Sequence, residues 1–265
     1  MIEPPFPHEY QVFDQCEQDA LCAEILAEVA AGKFKPAGEP SRQHWEKMWA
    51  QNRTEMPYFL RPAAVLRVNG QFVRPKDEWL ELKWYERFRD QLLKKYFKAV
   101  PAIYEFGCGN GWNLMAARHI FPDKTLVGLD WAESAVSSLP WYIRGYLFDF
   151  FRPDYSLKLD PGFGVWTVGA LEQTGQNWMP FLAYLLEQKP AICVHVEPIL
   201  EWYDQNNPVD RTAIEYHLAR NYWTGFPSWM SHLEELGKVK IIETKRSLFG
   251  SKYIEGYSLF VWRPT

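Results

Sequence analysis

The sequence predicts an α/β protein, a seven-stranded, mostly parallel, doubly wound sheet preceded by a mainly helical extension with a small β-hairpin. Two observations carry this reading. From about residue 101 onward, short apolar runs alternate with segments of helical periodicity, and that alternation implies a parallel sheet with helices on both faces. The first of these runs ends in Glu105-Phe106-Gly107-Cys108-Gly109-Asn110-Gly111, a turn with glycine at every second position, directly before a helix opening at Trp112. The division expected is an extension over residues 1–100 and a core over residues 101–265.

In the extension, Val12, Phe13, Cys16, Leu21, Ile25 and Val29 recur at near-helical spacing, which predicts one amphipathic helix over residues 10–31, ended by Gly32. Residues 33–40 read as a Pro- and Gly-containing linker. Ser41 then stands where it can cap a helix carrying Trp45, Met48, Trp49 and Asn52 on one side. Asn69-Gly70 between two short alternating runs, 65–68 and 71–74, is a hairpin signature, because both turn positions need positive φ. Asp77 is positioned to cap a long helix to about Phe97, with Trp79, Leu82, Phe88 and Leu92 available for burial.

In the core, strands are expected at 103–106, 125–130, 144–150, within 163–170, and at 191–196, 239–244 and 258–262. Helices are expected at 112–121, stopped by Pro122, at 132–139, stopped by Pro140, at 178–188, and over 209–236 with a break around Gly225.

Composition bounds the function. The 265 residues are 47% hydrophobic, enough for a buried core, and no run approaches the 18 apolar residues of a membrane span. The first residues, with Glu3, Pro4, Pro5 and Pro7, lack a basic segment followed by an apolar one, so a cytoplasmic protein with no membrane partner is expected. A net charge of −4 argues against a nucleic-acid partner held by phosphate neutralisation. Cys16, Cys22, Cys108 and Cys193 have neither zinc nor disulfide spacing, and no acid/His set has ligand spacing, so no metal is expected. The 17% aromatic content, with 13 tryptophans, suits a pocket that stacks on sugar or ring faces, and equally suits ordinary core and interface packing.

A glycine-rich turn before a helix offers unpaired backbone N–H groups to a polar ligand. A dinucleotide fingerprint needs a third glycine where Trp112 stands, and a P-loop needs Lys followed by Ser or Thr, which is missing. What remains is Glu-x-Gly-x-Gly-x-Gly. This stretch, Glu105 to Gly111, resembles the first motif of the class I S-adenosylmethionine-dependent methyltransferases, and the resemblance extends over roughly residues 101–264. It implies S-adenosylmethionine as cofactor, S-adenosylhomocysteine as product, and a final strand running antiparallel. It implies that the turn, with Glu105, Gly107, Cys108, Gly109, Asn110 and Asn113, passes under the cofactor's methionine part. It further implies that Asp130, ending the second strand, holds the ribose hydroxyls, that Trp131 covers the adenine, and that Asp149 accepts from the adenine amino group, with Phe150 and Gly169 nearby.

In an open parallel sheet, ligands bind beyond the carboxyl ends of the strands. The loops there are 169–175, 197–207 and 247–257, which nominates Glu172, Gln173, Glu197, Tyr203 and Tyr253, with Arg246 beside them. His217, Arg220 and Asn221 form an i, i+3, i+4 set, a polar helix face able to meet a polyhydroxylated or anionic acceptor, or to bond Glu197 or Glu201 as a structural network. His44, Trp45, Trp49 and Tyr85 are candidates for contacts from a lid, or for docking the extension onto the core. Methyl transfer relies largely on holding two partners at attack distance, and a hydroxyl acceptor also needs a proton acceptor, for which Glu172, His195, Glu197 and His217 are the available types.

The expected activity is methyl transfer to a small-molecule or carbohydrate-like acceptor. Its rivals are a methyltransferase-fold binding or scaffold protein without turnover, and an aminopropyltransferase, which would want more acids than the single Glu172 of loop 169–174. A nucleotide-dependent oxidoreductase is opposed by Trp112. The oligomeric state is left open.

Overall fold

The computed structural model describes residues 3–51, 56–57 and 60–265. The extension runs through β1 (Tyr10–Val12), α1 (Gln15–Ala30), α2 (Arg42–Gln51), β2 (Leu66–Val68), β3 (Gln71–Pro75) and α3 (Leu80–Tyr96). The first helix is shorter than its apolar spacing suggests. Asp14 accepts from Glu17 N–H at 2.9 Å while the Glu17 carboxylate accepts from Asp14 N–H at 3.0 Å, and this reciprocal box sets the start at Gln15. Residues 10–12 are thereby left to pair with β3 as a strand. Ser41 does not cap α2. Its hydroxyl donates back to Gly38 O at 2.6 Å and closes the turn Glu39–Ser41. Asn52 lies outside the described residues. The hairpin forms as expected, with Asn69 at φ +52° and Gly70 at φ +72°. Asp77 accepts from Trp79 N–H at 2.9 Å and so opens α3.

The core continues with β4 (Ala102–Phe106), α4 (Trp112–Ile120), β5 (Thr125–Asp130), α5 (Glu133–Ser137), β6 (Arg144–Leu147), β7 (Gly164–Val168), α6 (Met179–Gln188) and β8 (Ile192–Glu197). Then come α7 (Pro208–Ala219), α8 (Phe226–Glu235), β9 (Val239–Lys245), β10 (Phe249–Ser251) and β11 (Ser258–Pro264). The large sheet has the order β6-β5-β4-β7-β8-β11-β9. β11 is antiparallel to both neighbours, and the remaining pairs are parallel. Strict alternation along β11 divides the core. Leu259 and Val261 face one apolar layer with Trp84, Phe88 and Leu92 of α3, while Phe260 and Trp262 face the other with Phe181, Trp223 and Phe226.

β10 was not anticipated. It pairs antiparallel with β2 and completes a second sheet, β1-β3-β2-β10, so the extension and the core share one sheet. The junction depends on Gly250, where a Cβ would lie 2.2 Å from Ile254 O, and on the buried Arg67, which donates to Lys252 O at 3.0 Å and Val209 O at 2.7 Å. Among the described residues no helix is long and apolar enough to cross a membrane.

Candidate active site

The glycine turn sits at the carboxyl end of β4, with Gly107, Gly109 and Gly111 at φ +72°, +52° and +78°. The positive φ is matched by close packing. A Cβ on Gly107 would lie 2.3 Å from Ala170 Cβ, so only glycine lets the turn rest against the loop after β7. Asp130, ending β5, accepts from the N–H groups of Gly109 and Ala132, each at 2.9 Å, and thereby fixes the turn. Burial pushes the Asp130 carboxyl up to about 6, against the lowering effect of these N–H bonds.

Beneath the turn runs a buried relay. Tyr85 O–H donates to Asn113 Oδ1 at 2.7 Å, and Asn113 Nδ2 donates to Glu105 Oε1 at 2.7 Å. Glu105 Oε2 is buried and meets no donor. Burial lifts this carboxyl to about 8. A buried acceptor without a donor costs about 1–3 kcal/mol, so such an atom marks where something else belongs.

A cavity of ≈ 550 Å³ opens in front of Glu105 and the glycine turn, and a smaller one of ≈ 70 Å³ lies beside it, bordered by Asp130, Trp131, Phe150 and Phe151. Trp45 and Trp49 of α2, with Gly107, Gly169 and Gln173, border both. The Trp131 and Phe151 rings lie 5.8 Å apart, and the Arg42 guanidinium stands 5.9 Å from the Trp131 ring. Trp112 Nε1, on the wall of the larger cavity, is a buried donor with no acceptor.

On the side of that cavity next to Gly169, Glu172 Oε1 accepts from Gln173 Nε2 at 2.8 Å, while its Oε2 is buried without a donor among the described residues. Behind it Glu197 accepts from the N–H groups of Ala170, Leu171 and Glu172 at 3.1, 3.2 and 3.3 Å. Burial first and the Glu172 carboxylate second hold Glu197 well above the usual carboxylate range. An aromatic wall borders the same cavity: the rings of Phe34, Tyr216 and Tyr253 meet at 4.8, 5.1 and 5.2 Å.

No protein-family model matches the chain, and no curated protein matches it in sequence. Solved structures do resemble it. Human N-acetylserotonin methyltransferase, in complex with S-adenosylmethionine, superposes with a TM-score of 0.52 at 13% identity, over 94% of this chain and 68% of its own. The plantazolicin methyltransferase BpumL, in complex with a monoazolic analogue and S-adenosylhomocysteine, gives 0.50 at 13% identity, over 95% and 98%. The fold is that of the class I S-adenosylmethionine-dependent methyltransferases. The chain also resembles the riboflavin-derivative dimethyltransferase RosA of Streptomyces davawensis, with a TM-score of 0.49 at 15% identity over 70% of this chain; it spans 56% of RosA's length.

Within this methyltransferase fold the expected residues divide. Glu105, Gly107, Cys108, Gly109, Asn110, Asn113, Asp130, Trp131, Phe150 and Gly169 gather around the two cavities, as do Trp49, Glu172, Gln173, Arg220 and Tyr253. Asp149 does not border either cavity. It accepts from Phe151 N–H at 2.9 Å and pairs with Arg42 at 3.5 Å. Tyr85 holds Asn113 from behind and is no lining residue of the cavities.

Other expectations are corrected. His195 is buried between two partners, Thr167 Oγ1 at 2.8 Å and the Trp262 Nε1–H at 2.9 Å, and burial pulls its pKa down to about 3, so it is a neutral core residue. Glu197 is a loop-folding carboxyl, as its three N–H contacts require. His217 turns inward, with Nε2 2.7 Å from Trp223 O, and burial lowers it to about 4. The polar helix face does not form, because α7 ends at Ala219 and Asn221 adopts φ +49°; Asn221 packs near Gly175 instead of bordering the cavity. Arg246 clasps Glu255 at 2.7 Å and Asp210 at 2.6 Å, and its guanidinium lies 5.0 Å from the Tyr203 ring. The Tyr203 hydroxyl accepts from Glu255 N–H at 2.9 Å. Two buried acids demand that cation, which removes Arg246 and Tyr203 from the acceptor site.

Several lining residues were missed, among them Phe34, Tyr216 and Glu81. Phe34 sits in the stretch read as linker, Tyr216 on a helix read for its polar residues, and Glu81 in a helix read for its apolar ones. Glu81 is 3% exposed, accepts from Tyr257 O–H at 2.8 Å, and is lifted by burial to about 7.

Proposed function

We propose that this protein is an S-adenosylmethionine-dependent methyltransferase acting on a small-molecule acceptor, with residues 101–265 as the cofactor-binding core and residues 1–100 as its cover, tied together by β10. The observation that carries the reading is that two of the buried groups bordering one cavity, the acceptor Glu105 Oε2 and the donor Trp112 Nε1, have no partner among the described residues. A zwitterionic amino-acid moiety satisfies both at once, an ammonium on the carboxylate and a carboxylate on the indole N–H. Asp130 retains lone pairs beyond its two N–H bonds and would accept from vicinal hydroxyls, and the Trp131 and Phe150 rings would flank a purine in the smaller pocket.

Bound there, the cofactor supplies a methyl group on a sulfonium, an electrophile that needs little further activation. The chain's own residues do the rest. Trp45 and Trp49 of α2 cover the site and exclude water. Glu172 Oε2 accepts the proton that the acceptor's oxygen or nitrogen sheds as it takes the methyl, while the sulfur keeps the electrons of the broken bond. Glu197 is engaged by three backbone N–H groups, which leaves Glu172 Oε2 as the acceptor facing the cavity. The aromatic wall suits a ring-bearing or sugar-like acceptor equally well by its apolar faces alone.

A second reading has a specific observation behind it. Aminopropyl transfer wants extra acids for a polyamine, and Glu81 adds one to the cavity. Its donor is decarboxylated, however, and leaves Trp112 Nε1 without an acceptor.

The test is calorimetric titration with S-adenosylmethionine, S-adenosylhomocysteine, decarboxylated S-adenosylmethionine and NAD. Micromolar binding of the first two, with the decarboxylated compound weaker and NAD silent, is the expected result; preference for the decarboxylated donor would establish the second reading, and silence of both sulfur nucleotides would defeat the proposal. Asp130→Ala should lower affinity for S-adenosylhomocysteine by about 1–3 kcal/mol and destabilise the empty protein by a similar amount, since it also strips the Gly109 and Ala132 N–H groups of their acceptor. Thermal unfolding beside the titration reads both effects.

A further inference from the structure

The acceptor end of the large cavity has an imbalance that its apolar wall does not explain. Glu81 and Glu172 are 3% and 5% exposed, and both border the cavity. Among the described residues Glu172 Oε2 meets no donor, and the Glu81 carboxylate accepts from the Tyr257 hydroxyl. Among the described residues no ion pair joins either carboxylate to a cation. The two arginines at the cavity are already bonded to protein acceptors. Arg220 donates to Lys35 O, to the Tyr222 hydroxyl at 3.2 Å and to Gln173 Oε1 at 3.5 Å, and Arg61 donates to Leu60 O at 3.4 Å and Met56 O at 3.5 Å. What Glu172 Oε2 lacks is therefore a donor, and what both carboxylates lack is a cation paired with them directly.

The wall beside these carboxylates has the same preference. Phe34, Tyr216 and Tyr253 present π systems, whose faces attract a cation while their area takes up a ring. An anionic acceptor would bring a third acidic group into a cavity bordered by Glu81 and Glu172, whose two arginines already donate to protein oxygens. A neutral sugar would supply donors without a cation to pair directly with either buried carboxylate.

Resting on the methyltransferase reading, we infer that the acceptor is an amine: a small, ring-bearing molecule whose ammonium or amino group lies between Glu172 and Glu81 while its ring packs on the wall of Phe34, Tyr216 and Tyr253. Glu105 remains for the cofactor, so the two cationic groups have separate carboxylates.

The experiment uses the full chain saturated with S-adenosylhomocysteine, which occupies the donor site without methylating anything. Three probes sharing one phenyl ring, phenethylamine, 3-phenylpropionate and phenyl β-glucoside, are titrated separately. Phenethylamine is expected to bind at least about ten-fold more tightly than either other probe, the scale of one charge-assisted hydrogen bond. E172Q and E81Q should each weaken the amine by about ten-fold or more while leaving S-adenosylhomocysteine within about two-fold of its native affinity. Equal or tighter binding of the propionate or the glucoside overturns the inference, and so does unchanged amine affinity in both folded variants. If a glutamine variant does not fold, the comparison of the three probes on the native protein decides alone. Binding of S-adenosylhomocysteine with no preference for the amine removes this inference and leaves the cofactor reading standing; failure of S-adenosylhomocysteine itself to bind removes both.

Discussion

Glu105→Gln should weaken S-adenosylhomocysteine binding at pH 7 by about 10- to 100-fold, the range of a hydrogen bond to a charged group. It should also change the proton balance of binding. In the empty site burial lifts Glu105 to about 8, so at pH 7 the carboxyl is largely protonated. An ammonium at Oε2 favours the ionised form and returns the pKa toward the ordinary range, so the native protein should release close to one proton on binding. Titrations in phosphate and in Tris, whose ionisation enthalpies differ, measure that number directly, and Glu105→Gln should abolish it. A stability consequence follows with a definite sign. A carboxyl whose folded-state pKa is raised binds more protons in the native than in the unfolded chain, so its contribution is full below about 4.5 and is lost as pH rises toward 8. The empty native protein should therefore lose melting temperature between pH 5 and 8 more steeply than Glu105→Gln. Asp130 and Glu81, lifted to about 6 and 7, add to the slope in both proteins, and the difference between the two curves isolates Glu105. Equal affinity and equal proton release in the variant would mean that Oε2 faces no ammonium.

What the sequence revealed was decided locally. The glycine turn, the Asn69-Gly70 hairpin and the seven core strands each rest on a contiguous run whose pattern survives folding unchanged. The glycine-turn side of the candidate site was legible for the same reason, because Glu105, the glycines and Asp130 sit at fixed offsets along strand ends. The rest of the cavity lining is assembled from positions as distant as Phe34, Glu81, Glu172 and Tyr216, and no pattern along the chain joins them. Nor does a sequence disclose which polar loop residue is already taken. Arg246 and Tyr203 occupy the right edge of the sheet, yet Glu255 and Asp210, each 1% exposed, claim them. His195 was excluded by strand parity. It shares the β8 face of Cys193, beneath Phe226 and Trp262, where an imidazole must find neutral partners and not a substrate. β10 escaped notice because a three-residue strand built on Gly250 has no alternation to read, and its partner lies far away in β2.

Gly109→Val should have the largest effect of any single change, and the structure alters the reason for it. From sequence, the expectation is that a side chain fills space needed by the cofactor. Here a Cβ on Gly109 would lie 2.3 and 2.4 Å from Cζ2 and Cη2 of Trp49, so valine first drives α2 off the turn. Its φ of +52° adds about 1–2 kcal/mol of strain for any residue with a Cβ, and a branched one fits worst. Relief of that strain would also pull the Gly109 N–H from Asp130. S-adenosylhomocysteine affinity should fall by about 100-fold or more, the sum of a displaced cover and a displaced carboxylate, with a lowered melting temperature. Trp49→Ala alone keeps the turn and should cost less than about ten-fold. The double variant separates the two causes: removing the indole should restore part of the melting temperature, because the clash is gone, and little of the affinity, because the turn is still bent away from Asp130. Recovery of native affinity in Gly109→Val/Trp49→Ala would mean that the glycine serves only to seat α2 and that the turn itself holds no ligand.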